Sequence, residues 1–533
     1  MSRTPAPARR GALPLATVVA GAWVLGLAWF VVLGADLLWV VALGDSVRAT
    51  GSVPDGVPFA TAPQAGWHNP IVLAELLLSL VDGLGTPALA ALQLVLVGVT
   101  LLVVLADGRR AGGGELRGAL VVSLLVVGAS AGFAVTRLPS LSLVPFVLAV
   151  AVMRRQHEHP DRGVWWLVPL VLLWGNLHGA VLVGLAVLGV FLVLSPGGGP
   201  WPRRVGVGVG AALTLVLTSA GTGTPAYYLS ALRNEAAARH TDLWARPSLG
   251  HPLDVAMLVA AAVLLLLALR GRPALWEWVA VAGLAVGTAS AARNGVWLLL
   301  FLAGAAMRAR RQPEPETEPE TEGGSEVVPE RRPSLGRRLA APLVTVVVVG
   351  VGAGVVLAGR GTSVGAPGER LVPIVREVAQ GRPVLAVEPL AETLARDGVR
   401  VWAANPVDAF PARSRPTSST SCTTARCPRR PTSTSSCSPP TTRDPSSTVA
   451  VGAWSARSTT SPSSSAPRPS RSAGPERPGR VAGGAGPAAR RPEGAVERFA
   501  HPDDDGPHAV GIGHRRPAGA RPLEDLVLRR PAG

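Results

Sequence analysis

The chain has 533 residues, of which 48% are hydrophobic and 16% charged, with a formal net charge of +16. Long apolar runs fill its N-terminal two thirds, which is typical of a polytopic membrane protein and argues against a soluble enzyme. The basic charge comes from Arg alone and lies between the apolar runs and in the C-terminal tail. Because no helical face is strongly basic, we do not expect nucleic-acid binding.

The apolar runs predict an α-helical polytopic membrane protein. Residues 1–11 form a short cytoplasmic N-terminus, and the run after it has full spanning length without a clear cleavage site, so we interpret it as a retained helix rather than a signal peptide. Requiring roughly 20 apolar residues per crossing gives about 11 membrane-spanning helices, most of them in a bundle over residues 12–307. The predicted runs are 12–34, 86–106, 117–136, 139–153, 164–179, 180–195, 205–220, 252–270, 274–292, 294–307 and 339–358.

The Arg residues of the short loops predict the orientation, because such residues favour the cytoplasmic side. They fall on one side only if residues 164–195 cross twice, with a turn at LWGNLHG (173–179). Each half is then a helix of about 16 residues, or about 24 Å. The loops 35–85 and 221–251 are then extracytoplasmic. The Arg residues used are Arg9, Arg10, Arg109, Arg110, Arg154, Arg155, Arg203, Arg204, Arg270, Arg272, Arg308 and Arg311.

Several polar residues that this rule leaves unexplained converge on the predicted outer face. Asp36 follows the first helix, Arg137 and Arg293 stand at helix ends, and Asn176 and His178 lie at the break between two half-spans, where polar groups are costly unless used. Each also has an ordinary structural explanation: a solvated loop acid, interfacial anchors, or a hydrogen bond across the break.

Neither the His nor the Cys residues predict a cofactor. No two His fall at helical spacing beside a carboxylate, as a metal site would require. The three Cys match no metal or redox motif and lie in the C-terminal tail; they are Cys422, Cys427 and Cys437. We expect neither a metal nor another cofactor.

Four segments carry a resemblance to a known group of proteins. The stretch GADLLWVVALGDSVRATGSVPDGVPFATAPQAGWHNP from Gly34 resembles the first outer loop of bacterial membrane proteins related to the GT-C glycosyltransferases. TRLPSLS (136–142) resembles their Arg-x-Pro segment, and LLWGNLHGAVLVG (172–184) their W-x-N-x-HG segment. AARNGVWLLLF (291–301) is similar to their late Arg-bearing helix start. The resemblance runs in order over residues 12–410.

The resemblance implies sugar transfer from a polyprenyl-phosphate donor to a glycan or lipid acceptor at the outer face of a bacterial plasma membrane. Such chemistry needs a carboxylate that takes the acceptor's proton, for which Asp36 is the candidate catalytic base. It also needs cationic or amide groups that hold the phosphate, and Arg137, Asn176, His178 and Arg293 are the candidate substrate-binding residues.

The chain also departs from the group in ways that keep a second function open. PIV (70–72) stands where an acidic–aromatic pair is expected, and TDLW (241–244) where Glu-Trp is expected. The alternatives are a non-catalytic membrane protein that binds or organises a lipid-linked glycan, and an inactive frameshifted copy.

Beyond the bundle, composition divides the chain into three parts. Residues 308–338 form an acidic repeat between Arg clusters, predicted as a disordered cytoplasmic linker. Residues 359–410, after the last helix, begin an extracytoplasmic α/β domain with the order helix, strand (VLAV), helix, strand (VRVWAA). Residues 411–533 show neither helical nor strand periodicity, which is consistent with a disordered tail. We favour a frameshift. If each new codon starts at the third base of the old one, the Ser codon TCN contributes to a codon NTC, which encodes Val, Leu, Ile or Phe. The shifted frame therefore yields apolar strands.

Overall fold

The structure is a computed structural model that describes residues 14–64, 67, 69–232, 244–308, 335–403, 405–406, 409–410 and 449–451. The predicted cytoplasmic N-terminus (1–11), most of the linker 308–338 and nearly all of the tail 411–533 lie outside the described residues. So does the Thr-Asp-Leu part of TDLW (241–243).

An apolar helix lies in every region where the sequence predicts a crossing. These helices are α1 Leu15–Ala28, α4 Thr86–Arg110, α5 Glu115–Gly128, α7 Leu143–Glu158, α8 Leu167–Gly175, α9 Val181–Leu194, α10 Trp201–Leu213, α12 Pro252–Leu269, α13 Leu275–Ser290, α14 Gly295–Ala306 and α15 Leu335–Arg360. Shorter or more polar helices complete the set: α2 Ala35–Thr50, α3 Val72–Asp82, α6 Ser130–Ala134, α11 Thr224–Leu232, α16 Val372–Ala379 and α17 Leu390–Arg396.

Three helical stretches among the described residues are long and apolar enough to cross a membrane: Thr86–Arg110, Leu138–Glu158 and Pro252–Leu269. A fourth results if Trp201–Leu217 and Gly221–Leu229, which meet at 115°, form one broken span. Shorter apolar helical stretches of 10–17 residues are Leu15–Ala28, Arg162–Gly175, Val181–Leu194, Leu275–Ser290, Ala292–Ala306 and Val347–Arg360. A helix of that length rises at most about 26 Å, less than the roughly 30 Å hydrocarbon core of a bilayer. The apolar helical class is therefore confirmed, whereas the number of about 11 crossings stays a prediction.

The predicted turn at LWGNLHG separates two helices, α8 and α9. A Cβ added at Gly184 of α9 would lie 2.2 Å from the ring of Trp174 in α8. Residues ten apart along a straight helix are about 15 Å apart, so this contact requires the chain to fold back. The break that the Arg pattern predicts is present.

Charged side chains gather at one end of the bundle, which we call the Arg154 end. Arg154 near the end of α7 pairs with Asp107 of α4 (3.2 Å) and with Glu277 of α13 (3.1 Å). Arg308, after α14, pairs with the same Glu277 at 2.6 Å. Loops that the sequence places on one side of the membrane therefore meet in space, while the side that this end faces stays a prediction.

Residues 35–85, predicted as a loop, contain the helices α2 and α3. The two helices touch at Gly44, where an added Cβ would lie 2.1 Å from the carbonyl oxygen of Glu75. α2 buries most of its apolar side chains, including Leu37, Leu38 and Val41. The sequence did not predict these helices, because their apolar runs are shorter than a membrane crossing requires.

The C-terminal domain follows the predicted order of helix, strand and helix with α16, β3 (Val384–Ala386) and α17. The second predicted strand, VRVWAA, is reduced to isolated bridges from Val401 to Val384 and to Ala60. The domain docks on the α2–α3 segment, where Arg396 donates to Asp82 at 3.0 and 2.8 Å.

Three residues of the predicted tail have a defined structure. Val449–Val451 forms strand β4, which pairs in parallel with β3 in the register Val384↔Val449. This short β-branched stretch pairs with an open edge of β3, while the disordered or frameshifted tail over residues 411–533 stays a prediction.

Candidate functional site

A two-residue sheet positions the first candidate residues. β1 (Val32–Leu33) and β2 (Val135–Thr136) pair in parallel, and the Gly34 amide donates to the Thr136 carbonyl at 2.9 Å. Asp36 follows β1 and Arg137 follows β2, so the pairing brings them together. A Cβ on Gly34 would lie 2.9 Å from Cγ of Arg137 and 2.8 Å from a carboxylate oxygen of Asp36. Glycine is the residue that permits this close approach.

Asp36 and Arg137 form an ion pair. Nε of Arg137 donates to Oδ1 of Asp36 at 3.2 Å, and the two side chains are 22–26% exposed, so a ligand can reach them. Asp36 lies in the first turn of α2, where the positive end of the helix dipole favours a carboxylate. Burial raises the pKa of Asp36 and outweighs the opposing effect of Arg137. A carboxylate of raised pKa is a better proton acceptor than an ordinary surface acid.

Arg293 joins this pair from a distant part of the chain. It lies in the 3-10 turn Ala292–Asn294 between α13 and α14, and its guanidinium carbon lies 3.4 Å from the ring centroid of Trp244. This stacking is a cation–π contact that covers one face of the guanidinium. The charge of Arg293 acts on Asp36 and on Arg137. Arg293 makes no hydrogen bond to any residue that the structure describes, so its N–H groups can donate to a ligand.

His178 is held from one side by a chain of hydrogen bonds. The indole N–H of buried Trp174 donates to Oγ of Ser142 at 2.8 Å, and this Oγ lies 3.1 Å from Nδ1 of His178. The Ala180 amide also donates to Nδ1 at 3.1 Å. A nitrogen that accepts from an amide carries no proton, so a neutral His178 has its proton on Nε2. The ring also interacts electrostatically with Arg293.

Asn176 stands apart from the other four predicted residues. Its side-chain amide donates to the carbonyls of Leu172 (2.9 Å) and Leu217 (3.4 Å). Among the described residues no hydrogen bond or ion pair links it to Asp36, Arg137, His178 or Arg293. Its contacts are those of a residue that joins the end of α8 to the segment after α10.

We call Asp36, Arg137, Arg293, Trp244 and His178 the Asp36 cluster. It lies at the opposite end of α7 from Arg154, since Arg137 and Ser142 precede that helix and Arg154 lies near its end. Two Arg face one carboxylate, which suits an anionic ligand. The described residues contain no group of three His, Cys, Asp or Glu that could hold a metal ion.

Ser142, Trp174 and Trp244 support predicted residues, although no role for them could be predicted from the sequence. Trp174 and Ser142 lie in segments already quoted for the family resemblance, LLWGNLHG and TRLPSLS. The signal for them was a polar or aromatic residue near a candidate, but nothing in the sequence shows that these two segments touch.

Comparison of the chain with protein-family models, with curated proteins and with solved structures finds no match. The fold and the site define a mostly helical protein of apolar helices, with a cationic polar cluster at one end and a small α/β domain docked beside it.

Proposed function

We propose that the protein is a multi-pass protein of a bacterial plasma membrane whose Asp36 cluster binds the phosphate of a polyprenyl-phosphate-linked sugar at the outer face. The observation that carries this proposal is the meeting of Arg137 and Arg293 beside one carboxylate. A guanidinium binds phosphate through parallel hydrogen bonds. Arg residues of the short loops, among them Arg154 and Arg308, meet at the Arg154 end, which supports a cytoplasmic position for that end and an outer position for the cluster.

We assign transfer of the sugar to this site, as in GT-C-like glycosyltransferases. Asp36 takes the proton of the acceptor hydroxyl while the acceptor oxygen bonds to the anomeric carbon and the bond to the phosphate oxygen breaks. Arg137 and Arg293 stabilise the negative charge that develops on the leaving phosphate. His178, with its proton on Nε2, donates a further hydrogen bond to that group.

Binding without transfer is the second candidate, and two observations favour it. Asp36 is already paired with Arg137, so an acceptor hydroxyl must compete with that guanidinium for the carboxylate. The acid nearest to the PIV segment in the chain, Glu75, is fully buried and bonded to Asn69 at 2.7 Å, so it does not replace the acidic residue expected at 70–72. A protein that organises a lipid-linked glycan needs the cationic groups but not a free carboxylate.

The test uses the full chain in lipid nanodiscs with polyprenyl monophosphate as the binding probe, followed by radiolabelled donors for transfer. We expect Arg293→Gln to weaken binding by roughly 10- to 100-fold, since a charged hydrogen bond contributes about 1.5–3 kcal/mol. Arg110→Gln, an exposed residue at the other end of the bundle, is the matched control. Equal binding by both variants would refute the phosphate site.

Transfer separates the two candidates. If the wild type transfers the sugar, Asp36→Asn should abolish transfer while the probe still binds. If neither protein transfers but both bind, the non-catalytic function is the correct one.

A further inference from the structure

A second surface with a distinct composition lies at the Arg154 end. Three Trp side chains are exposed there: Trp165 by 44%, Trp166 by 70% and Trp201 by 63%. Trp165 and Trp166 belong to the 3-10 turn before α8, and Trp201 begins α10. Exposed indoles are costly in water, so three of them together indicate a ligand or a surrounding phase.

The turn before α8 and the start of α10 contact each other, so their Trp side chains belong to one surface. A Cβ added at Gly206 in α10 would lie 3.0 Å from the ring of Trp165, so this ring lies over α10. The guanidinium of Arg203 donates to the carbonyl of Asp161 at 3.4 Å. The turn before α8 and the start of α10 are therefore adjacent.

The charge of this surface is positive. Arg155 pairs with Asp161 at 3.1 Å in an exposed ion pair, and Arg204 donates to the Gly199 carbonyl. Arg162 is exposed and makes no hydrogen bond or ion pair to a described residue. The described segments 155–166 and 200–206 thus carry four Arg (Arg155, Arg162, Arg203 and Arg204) and two acids, Glu158 and Asp161.

An apolar row continues from the Trp residues along α10. Val205, Val209 and Leu213 follow Trp201 at intervals of four residues, and they are exposed by 44%, 52% and 60%. Residues four apart share one face of a helix, so the row runs along the helix for about 18 Å. That is close to the length of a phospholipid acyl chain in one leaflet, about half of the 30 Å core.

We propose that this surface is a binding site for an anionic glycerophospholipid. Arg162 and Arg203 bind the lipid phosphate, the indoles of Trp166 and Trp201 lie at the level of the glycerol, and one acyl chain lies along Val205, Val209 and Leu213. Basic residues at the membrane surface attract anionic lipids, and Trp prefers the interface. A soluble protein partner would not need an apolar row of this length beside a cationic rim. The proposal rests on the chain lying in a membrane but not on the chemistry of the Asp36 cluster.

The experiment titrates phosphatidylglycerol and phosphatidylcholine onto the purified full chain in detergent and counts bound lipids by native mass spectrometry. We expect phosphatidylglycerol to bind at least fivefold more tightly, and the double variant Arg162→Gln/Arg203→Gln to lose that preference. Arg270→Gln/Arg272→Gln, two exposed Arg in the short turn between α12 and α13, is the matched control and should keep it.

A second variant separates the site from general attraction of anions. Val209→Asn keeps all the Arg residues but interrupts the apolar row, and we expect it to weaken both lipids while inorganic phosphate at millimolar concentration does not compete. The proposal would be overturned if Arg162→Gln/Arg203→Gln binds phosphatidylglycerol as the wild type does. Competition by inorganic phosphate alone would also overturn it.

Discussion

Nε of Arg137 donates to Oδ1 of Asp36 at 3.2 Å although 101 residues separate the two in the chain. The contact exists because β1 and β2, which pair through two residues each, bring the chain together just before these two side chains. The geometry of the cluster therefore depends on a short backbone ladder and on the missing Cβ of Gly34.

Replacement of Gly34 tests this dependence. In Gly34→Ala the new Cβ would lie 2.9 Å from Cγ of Arg137 and 3.0 Å from the Thr136 carbonyl oxygen. We expect a loss of about 1–3 kcal/mol of stability and weaker probe binding, because backbone atoms must shift. Thermal unfolding and binding of polyprenyl monophosphate measure the two effects. Gly26→Ala, at a helical position with open space around its Cβ, should be neutral or stabilising.

The role of His178 can be divided between its two nitrogens. His178→Asn keeps an acceptor near Nδ1 for Ser142 and Ala180 but removes the donor at Nε2, so it should fold normally and bind the probe about tenfold more weakly. His178→Gln keeps a donor near Nε2 but loses the contact with Ser142, so it should lower stability more than binding. Identical losses of binding and stability in both variants would indicate a purely structural histidine.

Docking of the C-terminal domain depends on Arg396. Its guanidinium donates to both carboxylate oxygens of Asp82, and the two side chains are only 12–13% exposed. Arg396→Met leaves the carboxylate without this partner, and we expect a loss of about 2–4 kcal/mol. Hydrogen exchange of residues 372–401 should accelerate, while the exposed control Arg370→Gln should leave it unchanged. Unchanged exchange in Arg396→Met would show that the domain is held by its other contacts, among them the backbone hydrogen bonds of Val401 to Phe59 and Thr61.

We expect Glu75 to make the stability of the α2–α3 segment depend on pH. Burial raises the pKa of Glu75 to about 7, despite hydrogen bonds from Asn69. The folded state therefore holds a proton that the unfolded chain releases near pH 4.5. This contribution to stability is complete below that pH and is lost as the pH rises through 7, with a slope of at most about 1.4 kcal/mol per pH unit.

Glu75→Gln should reduce the slope of unfolding free energy between pH 5 and 8. Burial also raises the pKa of Glu392 to about 7, so this residue should contribute a slope of the same sign. The double variant Glu75→Gln/Glu392→Gln is expected to flatten the curve further. A pH profile that neither substitution changes would contradict the assignment of these buried carboxyls.

The frameshift hypothesis is tested on DNA. Resequencing of codons 400–475 should reveal one or two bases gained or lost near codon 411. If so, the corrected chain should supply apolar strands beside β3, in place of the short β4 that pairs there in this sequence. An unchanged reading frame would contradict the hypothesis. The stronger candidate would then be a non-catalytic protein or an inactive copy.

Local composition was enough to predict most of the helices. Long apolar runs located α1, α4, α5, α7 to α10 and α12 to α15, and the Arg pattern located the break at Asn176–Ala180, because both signals are read within a few residues. The helices α3 and α11 lie in the predicted loops 35–85 and 221–251 and were missed. α2 was missed, since its apolar run is short and is followed by Asp45 and Arg48. The ion pair of Asp36 with Arg137 could not be predicted, because a ladder of two residues leaves no periodicity to detect.

The candidate residues show the same division. Topology alone indicated that Asp36, Arg137, His178 and Arg293 share one end of the bundle. Their partners Ser142 and Trp244 depend on tertiary packing and were not predicted. Asn176 is polar like His178 and lies two residues before it, yet its side-chain amide is hydrogen-bonded to backbone carbonyls. Which of two neighbouring polar groups faces a site is decided by helix rotation, which the sequence does not show.

The bond between Thr61 and Val401 has a consequence for biosynthesis. The Thr61 amide donates to the Val401 carbonyl, and the Val401 amide donates to Phe59, across an interval of 340 residues. During translation the segment Phe59 to Ala62 leaves the ribosome long before Val401. The backbone groups that bind Val401 therefore lack this partner until almost all helices have been made. A chain truncated before Val401 would keep this edge unpaired and open to pairing with other chains.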